Sequence, residues 1–139
     1  MQSRRILPAL FFENPMNFYS NAGIIFAAGG SSTRFGCGNK LLCNLKNIPV
    51  FLHSIRTLGP LVPACNTALA VHADFLKEFQ RRTALHMPGF PLQTVPGGAT
   101  RTESVLRALE ALPQDLEFVA VHDAARPLVT AELFRRCLE

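Results

Sequence analysis

The chain has 139 residues, 48% of them hydrophobic and 17% charged, a composition that suits one soluble domain with a single core. No apolar run reaches the ~18 residues that a membrane span requires, which argues against a membrane protein. The net charge is +4, with nine basic against three acidic residues in 1–96 and five against seven in 97–139. This excess is too small and too scattered for a nucleic-acid face, and it better suits a cleft for phosphorylated small molecules.

Strand and helix patterns alternate from residue 22 onward, which predicts a mostly parallel sheet of the α/β class. In chain order we predict strand 23–28, helix 49–58, strand 66–72, helix 73–82, strand 91–95, helix 100–112, strand 117–122 and helix 130–138. The run TALAV within the second strand is almost entirely apolar, as a buried parallel strand should be. In helix 100–112 we expect Val105, Leu106, Leu109 and Leu112 to form the buried face.

The ends of the chain and its cysteines bear on domain organisation. Residues 1–21 contain two arginines and a short apolar stretch that is too short for a secretion signal, and we expect a poorly ordered extension; Met16 is an alternative start. The four cysteines are Cys37, Cys43, Cys65 and Cys137. Their spacing shows no metal-binding or pairing pattern, so we expect free thiols in a reducing cytoplasm.

A glycine-rich loop follows the first strand and contains two cations, Arg34 and Lys40. Backbone N–H groups in such a loop can hold a phosphate chain, and cations can neutralise charge during phosphoryl or nucleotidyl transfer. The loop matches neither the GxxxxGK[ST] phosphate loop nor GxGxxG, and a plain strand-to-helix turn is the alternative. Right-handed crossovers place the loops after the first, third and fourth strands at one sheet edge, where ligands bind in open α/β sheets.

Three segments together carry a family resemblance: Gly23–Lys40 (GIIFAAGGSSTRFGCGNK), Gly97–Val105 (GGATRTESV) and Val119–Pro127 (VAVHDAARP). They resemble the cytidylyltransferases that make CDP-methylerythritol from CTP and 2-C-methyl-D-erythritol 4-phosphate in isoprenoid synthesis. The resemblance implies a Rossmann-like, mostly parallel sheet of the nucleotidyltransferase type, with residues 22–139 forming its nucleotide-binding part. The segment 46–58 looks like the short hairpin and following helix of the family.

The resemblance also implies roles for individual residues. Ala27, Ala28 and Gly29 would lie against the nucleotide, and Gly98 and Ser104 would select cytosine. Arg34 and Lys40 would act in catalysis on the triphosphate, Asp123 would bind Mg²⁺, and Arg126 would face the sugar phosphate. A direct displacement at phosphorus needs alignment and charge neutralisation rather than a strong base.

Several residues in these motifs also have a purely structural interpretation. Ser104 could be an ordinary first-turn helix residue, and Asp123 could only cap the turn after its strand. Arg101 could be a solvated or core-bridging arginine. For His122 we expect a structural role, because no serine or cysteine nucleophile pattern accompanies it.

The chain departs from the family pattern in three places, one of which is that Arg34 stands one residue further from Gly29 than in some members. Asn39 precedes the loop lysine, where members usually have proline. The chain ends at Glu139, before the family's later substrate residues and dimerisation arm, so we expect a C-terminally truncated domain and a doubtful homodimer. The alternatives are a ribitol 5-phosphate cytidylyltransferase and a non-catalytic CTP-binding fragment; a sugar-nucleotide or molybdopterin nucleotidyltransferase domain is a weaker third.

Overall fold

The computed structural model describes residues 19–30 and 39–139. Its strands are β1 (Ala22–Ala28), β2 (Asn44–Leu45), β3 (Ile48–Pro49), β4 (Thr67–Val71), β5 (Gln93–Pro96) and β6 (Phe118–Asp123). Its α-helices are α1 (Val50–Leu58), α2 (Leu76–His86), α3 (Arg101–Ala111) and α4 (Ala131–Leu138). Each predicted strand and helix is confirmed, with shifted ends. None of the described helices has the length and apolar character that a bilayer crossing requires.

The central sheet has the strand order β5-β4-β1-β6, and every pairing in it is parallel. The predicted parallel α/β architecture is therefore confirmed. Strands β2 and β3 form a separate antiparallel hairpin. In the described part of the chain β6 pairs only with β1, so it forms one edge of the sheet.

Two apolar clusters hold the sheet because alternate residues of each strand point to opposite faces. On one face, Ile24 and Phe26 of β1 pack with Phe51, Phe79 and Phe134, which come from α1, α2 and α4. The other face is covered by α3. There Ile25, Ala68 and Ala70 pack against Ala108 of α3 and Leu112 at its C-terminal cap.

The buried face of α3 differs from the predicted one. Its buried residues are Ser104 and Ala108, and Leu112 at its C-terminal cap is also buried. Leu106 and Leu109 are 52% and 41% exposed, so the expectation that they are buried is wrong. The sheet presents alanines of β4 to this helix, and small residues at positions 104 and 108 let the helix approach closely.

Polar groups fix where the helices begin. Thr100 precedes α3, and its hydroxyl accepts a hydrogen bond from the backbone N–H of Glu103 at 3.1 Å. Thr130 precedes α4, and its hydroxyl accepts from the backbone N–H of Leu133 at 3.2 Å, which confirms the predicted helix start. Both threonines satisfy backbone donors that have no partner within the helix.

Candidate active site

A cavity of about 410 Å³ lies where β1, β5 and β6 end. Its lining comes from four segments that are far apart in the sequence: Ala27, Ala28, Gly29 and Gly30; Lys40 and Leu41; Gly98, Ala99, Thr100, Arg101 and Ser104; Asp123 and Ala125. The predicted convergence of the three motif loops at one sheet edge is therefore observed. Of the predicted site residues, Arg34 lies outside the described residues, and Arg126 does not line the cavity.

The end of β1 forms one wall of the cavity. Ala27 and Ala28 are buried, and the carbonyl of Ala27 accepts a hydrogen bond from the backbone N–H of Ala124 at 3.0 Å. This bond joins the end of β6 to the end of β1. A Cβ atom at Gly29 would lie 3.1 Å from the Ser104 hydroxyl, so glycine lets the two segments come close together.

Lys40 lies in a short 3-10 turn, Lys40–Leu42, at another side of the cavity. The side-chain oxygen of Asn39 accepts a hydrogen bond from the backbone N–H of Leu41 at 3.0 Å. The guanidinium of Arg82, on α2, lies 3.5 Å from the carbonyl oxygen of Leu42. The backbone of Lys40 is thus held by its neighbours, while its side chain is exposed at the cavity.

Asn39 is itself nearly buried, with 3% of its surface exposed. Its side-chain oxygen is used by the bond to Leu41, but its Nδ2 atom is buried without a hydrogen-bond partner among the described residues. An unpaired buried donor costs stability. The residue that departs from the family pattern therefore stabilises the turn through its oxygen and not through its amide nitrogen.

Ser104 connects the loop after β5 to the first turn of α3. Its hydroxyl accepts a hydrogen bond from the backbone N–H of Gly98 and donates one to the carbonyl of Thr100, both at 3.0 Å. A Cβ atom at Gly97 would lie 2.7 Å from this hydroxyl. Because its single hydrogen is already donated, the hydroxyl can offer a ligand only an acceptor.

A second contact holds the same loop. The backbone N–H of Ala99 donates a hydrogen bond to the Glu103 carboxylate at 2.7 Å. Together with the Thr100–Glu103 bond, it forms an arrangement of the capping-box type, in which the first turn of a helix and the preceding loop fix each other. The backbone of residues 98–100 is therefore set before any ligand binds.

Asp123 is the one acidic residue among the described residues that line the cavity. One of its oxygens accepts a hydrogen bond from the backbone N–H of Ala125 at 2.9 Å, which is the turn-capping role that sequence reasoning offered as the alternative. Its other oxygen, Oδ2, lies 3.9 Å from Nε of Arg126, a side chain that is 78% exposed. One carboxylate oxygen thus remains available at the cavity.

His122 has a structural environment, as expected. Its ring packs edge-on against Phe26, with ring centroids 6.1 Å apart, and its Nε2 lies 3.2 Å from the carbonyl oxygen of Arg126. Burial lowers the pKa of His122, which keeps the ring neutral at pH 7. A neutral ring with Nε2–H donating to that carbonyl braces the turn after β6.

The described residues contain no group of three histidine, cysteine, aspartate or glutamate side chains that could hold a metal ion. A Mg²⁺ ion bound chiefly by phosphates and waters needs only one or two protein carboxylates. The Oδ2 atom of Asp123 fits that requirement, since its ion-pair partner among the described residues is the exposed guanidinium of Arg126, 3.9 Å away.

Sequence reasoning did not assign a site role to several of the lining residues: Gly30, Leu41, Ala99, Thr100, Arg101 and Ala125. Among these six residues, Arg101 is the one with a charged side chain. A signal for it existed in the sequence: it stands three residues before Ser104, so the two share a helix face. The sequence-based prediction placed the buried face of α3 on its leucines, so the shared face of Arg101 and Ser104 was not recognised.

Comparisons with known proteins identify the family that this chain resembles. The family model described as 2-C-methyl-D-erythritol 4-phosphate cytidylyltransferase matches residues 22–139. A protein of that name from Synechococcus sp. strain WH7803 is 36% identical over 117 residues, which cover 84% of this chain and 52% of the relative. Another, from Synechocystis sp. strain PCC 6803, is 36% identical over 118 residues, covering 84% and 51%.

A solved structure is similar in fold. The crystal structure of 4-diphosphocytidyl-2C-methyl-D-erythritol synthase from Anaerococcus prevotii superposes with a TM-score of 0.67 at 21% sequence identity. The match covers 86% of this chain and 50% of that one. The chain thus spans about half the length of these relatives.

Proposed function

This chain belongs to the 2-C-methyl-D-erythritol 4-phosphate cytidylyltransferase family, and on that premise we propose that its cavity binds CTP for cytidylyl transfer to 2-C-methyl-D-erythritol 4-phosphate. A phosphate oxygen of the acceptor bonds to the α-phosphorus of CTP, and the bond from that phosphorus to the bridging oxygen breaks. The products are pyrophosphate and CDP-methylerythritol, an isoprenoid precursor of the non-mevalonate pathway.

The observation that carries the proposal is one cavity that gathers Lys40, Ser104 and Asp123 from three separate segments. The attacking phosphate oxygen is already an anion, so the reaction needs no strong base. It needs alignment of the two substrates and donors aimed at the charge that moves onto the leaving pyrophosphate. The described lining of the cavity fits this demand, because it has cationic and backbone groups but no histidine or cysteine.

The individual roles are those implied by the family. Lys40, together with Arg34, contacts the triphosphate and stabilises charge on the leaving group. Gly98 and Ser104 contact the pyrimidine, and the acceptor-only hydroxyl of Ser104 favours a base that presents an amino group, as cytosine does. The backbone of 27–29 lies against the nucleotide, and Arg126 faces the acceptor phosphate.

A divalent cation is part of the proposal. Mg²⁺ bound to the phosphates would neutralise part of their charge, and the free oxygen of Asp123 is the group that would hold it. The protein's own contribution is to orient that oxygen: the bond from the Ala125 N–H holds the carboxylate in place at 2.9 Å.

We also propose a cytoplasmic location, in keeping with the free thiols of Cys43, Cys65 and Cys137.

A second candidate is CTP binding without turnover. One observation favours it: the proposed nucleotide contacts Gly29, Gly98 and Ser104 line the cavity, whereas Arg126, the proposed acceptor contact, does not. The two candidates share the cavity and differ only in what the bound nucleotide does.

Calorimetric titration with CTP, UTP, ATP and GTP in the presence of Mg²⁺ tests the shared part. We expect CTP to bind most tightly; purine binding that is equal or tighter contradicts the proposal. Turnover with methylerythritol phosphate, followed by pyrophosphate release, then separates the two candidates. CTP binding without release of pyrophosphate would leave the binding function alone.

The role of Lys40 has its own test. Lys40→Ala should lower the rate of the chemical step by about 10²–10³-fold with a much smaller effect on CTP affinity, the loss typical of one group that stabilises transition-state charge. Lys77→Ala is the control, because Lys77 is exposed on α2 and does not line the cavity. A Lys40→Ala protein with normal turnover would remove Lys40 from the mechanism.

A further inference from the structure

The peptide unit between Gly97 and Gly98 is where the loop after β5 leaves the sheet. The backbone N–H of Gly97 still donates to the carbonyl of Val71 on β4, at 2.6 Å. The next N–H, that of Gly98, donates to the Ser104 hydroxyl instead of to a strand, and Gly98 lines the cavity. The orientation of this peptide unit therefore depends on α3 rather than on the sheet.

Two side chains of α3 hold the opposite ends of that one peptide unit. Its N–H donates to the hydroxyl of Ser104 at 3.0 Å, and its carbonyl, which belongs to Gly97, accepts from Nη1 of Arg107 at 3.1 Å. The same nitrogen lies 3.5 Å from the carbonyl oxygen of Pro96. Residues three apart are neighbours on a helix, and their side chains tilt toward its N-terminus, so both reach back to the loop.

The following peptide unit is held by α3 as well. Its N–H, which belongs to Ala99, donates to the carboxylate of Glu103 at 2.7 Å. A Cβ atom at Gly98 would overlap the Cβ of Glu103, so glycine is needed for this close approach. Side chains of α3 at positions 103, 104 and 107 thus bind consecutive backbone groups of the loop, and Arg107 does so from the second turn of the helix.

A peptide unit between two glycines needs such support more than most. Neither glycine has a Cβ atom to restrict the backbone, so this unit can rotate more easily than its neighbours. A rotation would reverse the directions of its N–H and its carbonyl, and it would break the bonds to Ser104 and Arg107 together. Arg107 therefore adds a second anchor to the one that Ser104 provides.

We propose that Arg107 is a positioning residue of the nucleotide site: it holds the Gly97–Gly98 peptide in one orientation and thereby strengthens selection of the pyrimidine. The inference rests on the proposed function, because it takes the wall formed by Gly98 and Ser104 to face the base. Arg107 is not among the described residues that line the cavity. It acts through the backbone of the loop and not by touching the ligand.

The test compares Arg107→Met, Arg107→Lys and a control, Arg136→Met. Methionine removes the N–H donors and keeps an unbranched stem, whereas lysine keeps the charge and a donor for the carbonyl. Arg136 is exposed on α4 and is likewise absent from the described lining of the cavity, so the control removes the same charge elsewhere. Calorimetry measures binding of CTP, UTP and inorganic tripolyphosphate, NMR measures hydrogen exchange at the Gly98 N–H, and thermal melting verifies folding.

For Arg107→Met we expect the CTP/UTP affinity ratio to fall about fivefold, the size of effect that one hydrogen bond typically has. Exchange at the Gly98 N–H should become faster by a similar factor, because the peptide opens more often. Affinity for tripolyphosphate should change no more than in Arg136→Met. Arg107→Lys should recover part of the ratio and of the exchange protection.

Three results would overturn the inference. An unchanged CTP/UTP ratio with a lower melting temperature would mean that Arg107 serves stability alone. An equal loss of affinity for CTP, UTP and tripolyphosphate would mean that its charge only attracts anions. A ratio that falls equally in Arg107→Met and Arg136→Met would mean that the position on α3 is irrelevant.

The same measurements separate this inference from the proposed function. If the unsubstituted chain shows no preference for CTP, the nucleotide assignment fails, and the exchange rate at Gly98 alone decides whether Arg107 holds the peptide. If CTP is preferred and Arg107→Met retains both the preference and the exchange rate, the assignment stands and the positioning role of Arg107 is refuted.

Discussion

The hydroxyl of Ser104 accepts a hydrogen bond from the backbone N–H of Gly98 at 3.0 Å. This bond joins the loop after β5 to the first turn of α3, and it lies beside the end of β1 at Gly29. A single side chain therefore shapes the wall that is proposed to face the pyrimidine. The hydroxyl has two functions: it sets the loop, and its remaining lone pair faces any ligand as an acceptor.

Ser104→Ala should lower the preference for CTP over UTP. The substitution removes the acceptor that favours an amino group at the base and also frees the N–H of Gly98, so stability should fall by about 1 kcal/mol as well. Competitive titration of the two pyrimidine triphosphates measures the first effect, and chemical denaturation measures the second. Thr102→Ala, an exposed change two residues away, is the control. An unchanged CTP/UTP ratio together with lower stability would mean that Ser104 acts only on the loop.

Asp123→Asn should raise the Mg²⁺ concentration needed for half-maximal CTP binding. An amide oxygen can still accept from the N–H of Ala125, so the turn is retained, but a neutral amide is a weaker ligand for a hard cation. Asp115→Asn, an exposed change before β6, controls for the loss of charge. If the Mg²⁺ requirement stays the same and the melting temperature falls, Asp123 serves the turn alone.

Asn39→Ser should be tolerated, whereas Asn39→Leu should destabilise the turn that carries Lys40. Serine keeps an oxygen that can accept from the N–H of Leu41 and removes the buried Nδ2, which has no partner within the described part of the chain. Leucine leaves the N–H without a cap, at a cost of about 1 kcal/mol. Denaturation with urea measures both variants. Equal destabilisation by serine and leucine would show that the amide nitrogen, not the oxygen, is needed.

Glu78, which lies on α2, makes a pH-dependent contribution to the stability of the folded chain. Hydrogen bonds from Arg81 and Arg82 hold the pKa of Glu78 at about 2, below its ordinary value of 4.5. A carboxylate whose pKa is lowered by folding stabilises the protein above its unfolded pKa, and this stabilisation is lost as the pH falls from about 4.5 toward 2.

The corresponding variant is Glu78→Gln, which should melt at a lower temperature than the unsubstituted chain at pH 7. The difference should shrink as the pH approaches 2, the folded pKa of this carboxyl group. The effect should be small because Glu78 and its two arginine partners are at least partly exposed to solvent and salt. Glu110→Gln on α3 is the control, since it removes an exposed carboxylate that has no arginine partner among the described residues. A difference that persists unchanged at low pH would contradict the assignment.

We expect the unpaired edge of β6 to favour self-association, and Val121→Lys should reduce it. Val121 is 45% exposed on β6, which pairs only with β1 among the described strands, and β6 contains neither lysine nor proline. An apolar strand with an unpaired edge favours association, and a lysine there opposes it. Leu85→Lys on α2, where the leucine is 65% exposed, adds the same charge away from the sheet. Light scattering compares the two; equal improvement by both would show that charge alone, not the strand edge, is responsible.

The order of strands and helices could be predicted from the sequence because it depends on local patterns. Apolar runs such as Thr67–Val71 and helix caps such as Thr100 and Thr130 leave a signal within a few residues. The glycine loops after β1 and β5 could also be located, and with them the sheet edge where the cavity lies. Glycine, caps and short apolar runs act through the backbone nearby, so sequence is sufficient for them.

Side-chain packing, which the sequence pattern did not reveal, determined the orientation of α3 on the sheet. The leucines of α3 predicted one buried face, but the alanines of β4 accept the small residues Ser104 and Ala108 instead, and Leu106 and Leu109 stay exposed. That rotation of the helix is what brings Arg101 over the cavity and the Ser104 hydroxyl to Gly98. The sequence alone determined which elements form and where ligand-binding loops fall. Only the tertiary structure determined which side of α3 meets the sheet, because that depends on the volumes of side chains that are distant in the sequence and adjacent in space.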